Sequence, residues 1–311
     1  MELRRIGRLD VSVVGLGCNN FGGRTDADGT RAVVDAAIDA GITYFDTAEV
    51  YNDGRSEELL GAALKGRRDD VIVATKWGHD SDLAEGERGG DPAVVRRRLE
   101  ASLQRLGTDR VDHYQMHRPD PWTPVEETLG ALAELQAEGK VVEIGATHLT
   151  ADQLRHAHAV AGERSLPAWA SLQNYSSLLT RDPETDGVYD ACAELGVGFV
   201  PYFPLESGLL TGKYRLGSPM PEGSRLAGIP AERAGRFIND ERLAVVERLI
   251  AWAAEHGHTL LDLAMSWHTS NPLVASVIAG ATRPEQVAAN VAAAGWALTE
   301  TDRAEVVALL G

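Results

Sequence analysis

Four polar residues with different acid–base properties each follow an apolar stretch of the sequence. Asp46 ends the run "ITYFD", Lys76 ends "VIVATK", and His117 follows "VDHYQM". Tyr51 lies five residues beyond Asp46, in the turn-forming segment "AEVYNDGRS". A strand that is buried on both faces has no favourable place for an unpaired charge. The positions of these residues at the ends of apolar runs therefore suggest a shared role.

The combination of phenol, ammonium, carboxylate and imidazole is suited to proton transfer to an oxygen atom. A phenol with a pKa near 10 is a weak acid at neutral pH unless its surroundings tune it. An adjacent ammonium group stabilises the phenolate, and a carboxylate beyond it keeps the ammonium charged. An imidazole can orient a carbonyl oxygen. Protonation of that oxygen accompanies hydride arrival at the adjacent carbon, so a nicotinamide cofactor is implied.

Each of these residues alone also fits an ordinary structural role. Asp46 could cap a turn, Lys76 could extend along the surface, His117 could belong to a turn, and Tyr51 could be an exposed loop aromatic. One polar residue at the end of each run is a pattern that favours a common site. The other histidines include pairs at 156/158 and 256/258, which face different directions on predicted helices, so no metal site is predicted.

The elements that must position these residues alternate regularly along the chain. Short β-branched runs occur at 42–45, 71–75, 111–115, 141–146, 169–173, 197–201 and 275–280, after a first run "VVGLG" that ends near Gly17. Helix patterns occur at 26–40, 55–65, 91–105, 124–138, 150–161, 184–195, 241–256 and 284–294. Eight strand–helix units predict a (β/α)8 TIM barrel and a single domain over residues 1–311, with chemistry at the carboxyl ends of the strands.

A doubly wound dinucleotide fold is the alternative architecture. It would need a third glycine where "GLGCNNFGG" has Asn20, so this alternative is disfavoured. The segment around Gly7 and Asp10 predicts a hairpin before the first barrel strand. The Gly/Pro-rich residues 206–236 predict a long loop at the mouth of the barrel, and loops of that length are usually functional or disordered.

Composition limits the classes of partner. With 44% hydrophobic and 24% charged residues, the 311-residue chain is typical of a globular protein. Its net charge of −16 argues against nucleic acid or an anionic membrane as partner. We expect no membrane span, no signal peptide and, with only Cys18 and Cys192, no disulfide framework. These features indicate a cytoplasmic protein that acts on a small molecule. The sequence leaves open whether the protein forms a homo-oligomer.

The motifs resemble those of the aldo-keto reductase family over almost the whole chain. The resemblance is carried by "GITYFDTAEVYNDGRSEELLG", "ATKWG" and "MHRPD". It implies an NADPH-dependent carbonyl reductase on a (β/α)8 barrel. By the same resemblance, Tyr51 would be the general acid, Asp46 and Lys76 would tune it, and His117 would position the carbonyl group.

The resemblance also implies cofactor contacts. Gln173 of "SLQNY" would hold the nicotinamide carboxamide, and Tyr202 of "PYFPLESGLLTGKY" would stack on the ring. Phe203 replaces a serine that is usual in the family, which implies one phosphate hydrogen bond fewer. The other residues of this loop expected at the cofactor are Leu205, Gly208, Leu209, Lys213 and Arg225.

The segment "IAGATRPEQVAAN" resembles the family's adenosine-phosphate segment. An arginine there supplies a cation for the ribose 2′-phosphate and favours NADPH over NADH. Ala289 stands where many family members have an acid that faces the adenine. The residues expected to bind here are Gly280, Thr282, Arg283, Gln286 and Asn290.

Two further segments bear on the nicotinamide and the substrate. In "GATHLT", Thr147 and His148 depart from the family's usual residues, and we expect them to contact the carboxamide with altered geometry. The expected pocket walls are Trp77, His79 and Trp122. The acids of "HDSDLAEGERGGD" would disfavour anionic substrates if they face inward.

Three functions are compatible with these residues. The first is reduction of an aldehyde or ketone, and the second is the reverse reaction, as an alcohol or sugar dehydrogenase. The third is a nucleotide-binding regulatory module, because the family includes channel-associated β subunits that resemble this chain in "FDTAEVY". Those subunits tend to lack a histidine before "RPD", so His117 favours an enzyme.

Overall fold

A closed barrel of parallel strands forms the centre of the protein. The computed structural model describes residues 1–235 and 237–311, and within them eight parallel strands form one sheet in the order β10-β3-β4-β5-β6-β7-β8-β9. The strands are β1 (Leu3–Ile6), β2 (Leu9–Ser12), β3 (Val14–Gly17), β4 (Tyr44–Asp46), β5 (Ile72–Trp77), β6 (Val111–Met116), β7 (Val141–Thr147), β8 (Ser171–Gln173), β9 (Gly198–Phe199) and β10 (Val277–Gly280).

The two edges of this sheet meet, which closes the barrel. On one side β10 pairs in parallel with β3. On the other side, the Phe199 amide of β9 donates to the Leu273 carbonyl at 3.0 Å, and the Phe199 carbonyl accepts from the Ala275 amide at 2.8 Å. The prediction of a (β/α)8 barrel is therefore confirmed, and the open dinucleotide-binding sheet is excluded.

Helices surround the barrel and connect its strands. Within the described residues they are α1 (Ala27–Asp39), α2 (Arg55–Ala63), α3 (Pro92–Leu106), α4 (Val125–Ala137), α5 (Ala151–Arg164), α6 (Asp182–Thr185), α7 (Val188–Leu195), α8 (Ala231–Ala234), α9 (Asp240–Glu255), α10 (Leu260–Thr269), α11 (Pro284–Ala293) and α12 (Glu300–Leu310). Local signals fix their ends. In α3, the Asp91 side chain accepts from the amides of Ala93 and Val94, and Gly107 ends the helix with φ 63°.

The predicted helices differ from the structure at several places. The helix predicted at 124–138 begins at Val125, after Pro124. The helices α10 and α12 were not predicted at all. Eight of the ten residues of α10 are buried, so it lacks the amphipathic stripe that marks a surface helix. Its capping box, formed by Thr259 and Asp262, was the available signal.

The predicted N-terminal hairpin is confirmed and closes the lower end of the barrel. Strands β1 and β2 pair in antiparallel fashion, and Ile6 and Val11 pack with Val200 and Ile278. The Arg4 guanidinium donates to the carbonyls of Asn271 and Val274 at 2.7 and 2.6 Å. The amino-terminal ends of the strands are therefore covered by side chains, while the carboxyl ends remain available for a site.

The segment predicted as a long loop at the mouth is partly helical. It contains 3-10 turns at Glu206–Thr211 and Leu226–Gly228, and Leu209 and Leu226 are buried in a cluster with side chains of α9 and α10. Arg236, at the end of this segment, lies outside the described residues. Within 1–235 and 237–311, no helix is long and apolar enough to cross a membrane, and no group of residues is arranged to hold a metal ion.

Candidate active site

Asp46, the last residue of β4, is the centre of a buried polar cluster. Its Oδ1 accepts a hydrogen bond from Lys76 Nζ at 2.5 Å, and both side chains are almost completely buried. Lys76 Nζ also donates to the Thr47 carbonyl at 2.9 Å and reaches the Tyr51 hydroxyl at 3.4 Å. The carboxylate, the ammonium and the phenol thus form a continuous chain of polar contacts from the strand end to the mouth.

The second oxygen of Asp46 is held by two amides from neighbouring strands. Gln115 Nε2 and Gln173 Nε2 each donate to Asp46 Oδ2 at 3.0 Å. Gln115 was not identified from the sequence, although it lies on the same face of β6 as His113, at an interval of two residues. Gln173, expected at the carboxamide, has its amide nitrogen engaged by Asp46 and by Gln115 Oε1 at 3.2 Å.

The protonation states of the phenol and the ammonium follow from burial and charge. Burial lowers the pKa of Lys76, but Asp46 and the Tyr51 phenol outweigh it, so the pKa rises above its usual value. Burial raises the pKa of Tyr51, and the nearby Lys76 counteracts this only in part. At neutral pH the site therefore holds a charged lysine next to a protonated phenol, which is an arrangement able to give a proton.

His117 lies next to the phenol and is neutral. Its ring packs edge-on to the Tyr51 ring, with centroids 5.8 Å apart. Burial, followed by the charge of Lys76, holds the pKa of His117 well below its usual range. Its backbone is fixed on both sides, because its amide donates to the Trp77 carbonyl at 2.7 Å and its carbonyl accepts from the Thr147 hydroxyl at 2.5 Å. A neutral imidazole in this position can donate to an oxygen atom.

Two more histidines lie around the same opening. The His79 ring packs edge-on to His117 at 4.9 Å, and the His148 ring packs edge-on to Tyr202 at 5.3 Å. Burial, followed by the charge of Arg118, lowers the pKa of His148 to about 4. His148 has φ 60°, a left-handed backbone conformation that turns the chain directly after Thr147. The contacts expected from Thr147 and His148 to a carboxamide stay predictions.

Cations converge beside the loop that follows β9. Partial burial and then Arg24 and Arg283 lower the pKa of Lys213, which places three cations close to one another. Gly208 has φ 97°, and a Cβ there would lie 3.1 Å from Lys213 Nζ, so backbone and ammonium approach each other closely. A glycine backbone beside clustered cations is suited to phosphate groups. Arg24 was not identified from the sequence.

The remaining residues expected at the cofactor lie near this loop or on β10 and α11. Tyr202 is half-buried and stacks on Tyr175, and the Arg225 guanidinium lies 5.6 Å from the centre of the Phe203 ring. The Thr282 amide donates to Gln286 Oε1 at 2.8 Å. Leu205 is accessible in part and Gly280 is exposed, whereas Leu209 and Asn290 are buried and offer almost no surface to a ligand.

Glu206 forms a second buried carboxylate, which the sequence did not indicate. Its side chain is fully buried and accepts from the Tyr175 hydroxyl at 2.5 Å, from Thr180 Oγ1 at 2.8 Å and from Arg242 at 2.7 Å. The Ser177 hydroxyl donates to the same carboxylate. These contacts attach the loop after β9 to helix α9 and to the residues that follow β8.

The residues expected to line the substrate pocket are separated in the structure. Trp77 is fully buried: its indole stacks on Tyr114 and donates to the Gly89 carbonyl at 2.9 Å. The expectation that Trp77 forms a pocket wall is therefore wrong, because the alternation of β5 directs this side chain away from the mouth. Trp122 is 72% exposed and lines a cavity of about 260 Å³, and His79 lies beside His117.

Two acids of the loop after β5 are engaged in ion pairs. Asp82 pairs with Arg98 and Glu87 pairs with Arg97, both at 2.6 Å. These two acids therefore do not present free carboxylates to a substrate, and the charge repulsion considered from the sequence stays a prediction for the other acids of the loop. Asp80 is exposed on the same loop and lines the cavity.

Comparisons with known proteins agree with the geometry. A model of the Aldo/keto reductase family matches residues 13–310. Aldo-keto reductase str7 of Strobilurus tenacellus is 37% identical over 319 residues, covering 98% of this chain and 91% of that protein. Probable aldo-keto reductase 1 of Glycine max is 35% identical over 305 residues, covering 96% and 85%. A probable voltage-gated potassium channel subunit beta of Oryza sativa subsp. japonica is 36% identical over 306 residues, covering 94% and 91%.

Proposed function

The chain belongs to the aldo/keto reductase family, and we propose that it acts as an oxidoreductase that uses NADPH to reduce an aldehyde or ketone to an alcohol. The observation that carries the proposal is the polar chain from Asp46 through Lys76 to the Tyr51 hydroxyl. A buried ion pair placed within reach of one phenol, at the open end of the barrel, has a chemical use that an ordinary structural pair lacks.

In the proposed reaction Tyr51 is the general acid. Its phenol gives a proton to the carbonyl oxygen of the substrate, and Lys76 stabilises the phenolate that remains. Asp46, fixed by Gln115 and Gln173, holds the ammonium in position. The neutral His117 imidazole donates a hydrogen bond to the same carbonyl oxygen and so orients it. The nicotinamide, when bound, supplies the hydride.

The residues around the mouth fit a phosphate-bearing cofactor. Lys213 and Arg24, with the partly accessible backbone at Gly208, would hold the pyrophosphate, while Tyr202 would pack against the nicotinamide ring. Arg283 is exposed at the start of α11 and would bind a ribose 2′-phosphate.

Cofactor preference tests the role assigned to Arg283. We expect Arg283→Ala to weaken NADPH binding by about 10- to 100-fold, because a charge-assisted contact to phosphate is lost, and to leave NADH binding nearly unchanged. The measurement is the quenching of tryptophan fluorescence on titration with each nucleotide. An equal loss for both nucleotides would count against a phosphate contact.

The main test is reduction of carbonyl compounds by the wild type and by Tyr51→Phe. NADPH absorbance is followed with aldehydes, ketones and quinones, and we expect the variant to lose about 100- to 10,000-fold in kcat while it binds NADPH normally. Unchanged turnover in Tyr51→Phe would overturn the proposed role of the phenol. Oxidation of alcohols with NADP⁺ in parallel shows whether the reverse reaction is the preferred direction.

A regulatory function is the second candidate, favoured by the similarity to proteins named as potassium channel β subunits. Under that alternative the protein would bind nucleotide but reduce none of the carbonyl compounds. Binding of NADPH without turnover in the wild type would therefore support a nucleotide-binding module over a reductase.

A further inference from the structure

Arg118 lies between the proposed reaction centre and the adjacent cavity. It directly follows His117, and its half-buried side chain lines the cavity of about 260 Å³ together with Gly78, Leu83, Pro119 and Trp122. None of Asp46, Tyr51, Lys76 and His117 lines this cavity, so it extends the mouth sideways and is not the place of proton transfer. Arg118 is therefore next to both the proposed reaction centre and the cavity.

The guanidinium of Arg118 is available to a ligand. In the part of the chain that the structure describes, it makes no hydrogen bond and no ion pair. Nearby arginines differ, because Arg98 pairs with Asp82 and Arg97 pairs with Glu87. In a chain of net charge −16, a half-buried cation without a carboxylate partner is unusual.

The acids that line the same cavity do not neutralise Arg118. Asp120 accepts hydrogen bonds from the Gly90 amide at 2.8 Å and from the Thr123 hydroxyl at 2.7 Å, and Glu87 is bound to Arg97. Asp80 is exposed on the facing loop and forms no ion pair with Arg118. The Arg118 guanidinium therefore has no direct carboxylate contact, although the carboxylates of Asp80 and Asp120 also line the cavity.

The charge of Arg118 also acts on the proposed reaction centre. Burial first, and then the neighbouring cations that include Arg118, lower the pKa values of His79, His117 and His148. These imidazoles are consequently neutral at physiological pH. Lys76 is paired with Asp46, and the second cation that lines the cavity, the exposed Arg88, donates to the Trp122 carbonyl at 3.5 Å. Arg118 is therefore the half-buried cation beside the proposed reaction centre.

We propose that Arg118 selects carbonyl substrates that carry a carboxylate, with the carboxylate bound in the cavity while the carbonyl oxygen lies at Tyr51 and His117. The inference rests on the proposed reductase function and names a substrate class for it. A guanidinium presents two parallel N–H donors that match the two oxygens of a carboxylate. The exposed Trp122 at the rim offers an apolar surface to the body of the substrate.

The test compares two aldehydes of similar shape, 4-carboxybenzaldehyde and its methyl ester, in the wild type, Arg118→Met and Arg118→Lys. We expect Arg118→Met to lower kcat/KM for the acid by about 10- to 100-fold and for the ester by less than about twofold. Arg118→Lys should recover part of the loss, because it keeps the charge without the planar pair of donors. An aldehyde with a phosphate ester in place of the carboxylate shows whether the site accepts any anion.

The matched control is Arg96→Met, which removes one positive charge from α3 outside the cavity, where Arg96 pairs with Glu134 and Glu138. It should leave the acid-to-ester ratio unchanged. An equal loss of kcat/KM for the acid and the ester in Arg118→Met would overturn the proposed selection of carboxylate substrates and indicate a structural role for Arg118. A wild type that reduces the ester but not the acid would also overturn it. If the wild type reduces no carbonyl compound, the proposed function fails, and the selection fails with it.

Discussion

Two buried carboxylates at the mouth of the barrel, Asp46 and Glu206, are built in different ways. Asp46 accepts from Lys76, Gln115 and Gln173, which all lie at the carboxyl ends of barrel strands. Glu206 accepts from hydroxyl groups after β8 and from Arg242 of α9. Both acids have several donors, as burial of a charge requires. They differ in the backbone that carries them.

The backbones that carry Asp46 and Glu206 suit two different roles. Asp46 is part of a regular parallel ladder with β3 and β5, so its position is fixed by strand register. Glu206 has φ 48° and is followed by Ser207 with φ 57°, so its loop holds successive left-handed residues. The strand acid fixes the groups proposed to move a proton, whereas the loop acid fixes the segment proposed to hold the cofactor. The four predictions below test this division.

The largest effect is expected from Lys76→Met. The change leaves Asp46 buried without its cation, and breaking a buried pair in this way costs about 3–5 kcal/mol of unfolding free energy. Turnover should fall by about 1000-fold or more, since the phenolate loses its stabilising charge. Urea unfolding and kcat measure the two effects.

The double variant Asp46→Asn/Lys76→Met is the control for that experiment. It removes both charges and should regain most of the lost stability without regaining turnover. A Lys76→Met protein as stable as the wild type would show that the burial of Asp46 does not depend on the positive charge of Lys76.

A smaller effect, of another kind, is expected from Arg242→Met. Glu206 keeps three hydroxyl donors, and the side chain of Arg242 is 26% exposed, so the loss of unfolding free energy should be about 2 kcal/mol. The Kd for NADPH should rise about tenfold, while kcat at saturating NADPH stays within about twofold. Fluorescence titration measures the Kd for NADPH, and steady-state kinetics measure kcat. A fall in kcat with an unchanged Kd for NADPH would contradict the assignment of cofactor binding to the Glu206 loop and of proton transfer to the Asp46 cluster.

Gln115→Met and Gln173→Met separate the two amides that bind the same oxygen of Asp46. Each variant removes one hydrogen bond at 3.0 Å, and each should lower kcat by about tenfold. Only Gln173→Met should also raise the Kd for NADPH, because Gln173 is the amide proposed to face the nicotinamide. A raised Kd in Gln115→Met would show that the cluster as a whole, and not Gln173, determines cofactor affinity.

The smallest effect concerns pH. The pKa of His117 lies well below its usual range, so the imidazole is neutral at any pH above that lowered pKa. The pKa of Tyr51 is raised, so the phenol stays protonated at any pH below that raised pKa. The kcat for reduction should therefore change by less than about twofold from pH 6 to pH 9. An inflection near pH 6.5 to 7 would show that His117 is less well shielded from water than its burial indicates.

The sequence predicted those parts of the site that follow from strand periodicity. Asp46, Lys76 and His117 could be placed together because parallel strands end at one side of a barrel. Trp77 was misplaced because side-chain alternation reverses direction with each residue, so the residue after Lys76 faces the surrounding helices. Gln115 was overlooked because a neutral amide inside a strand does not stand out by charge.

Other features depend on contacts that no local pattern encodes. The donors of Glu206 come from positions 175 to 242, brought together by the path of a loop with left-handed residues. Likewise, only the structure distinguishes Arg118, which has no ion pair among the residues described, from Arg97 and Arg98, which have one. Sequence therefore indicated which residue types were present, and tertiary contacts determined which of them are available.

The hairpin at the lower end of the barrel has a consequence for the order of events. Because β1 and β2 cover the amino-terminal ends of the strands, a molecule that reaches Tyr51 comes from the carboxyl ends. The proposed cofactor and the proposed substrate would then share one route, and the ligand that lies deeper would have to bind first and leave last.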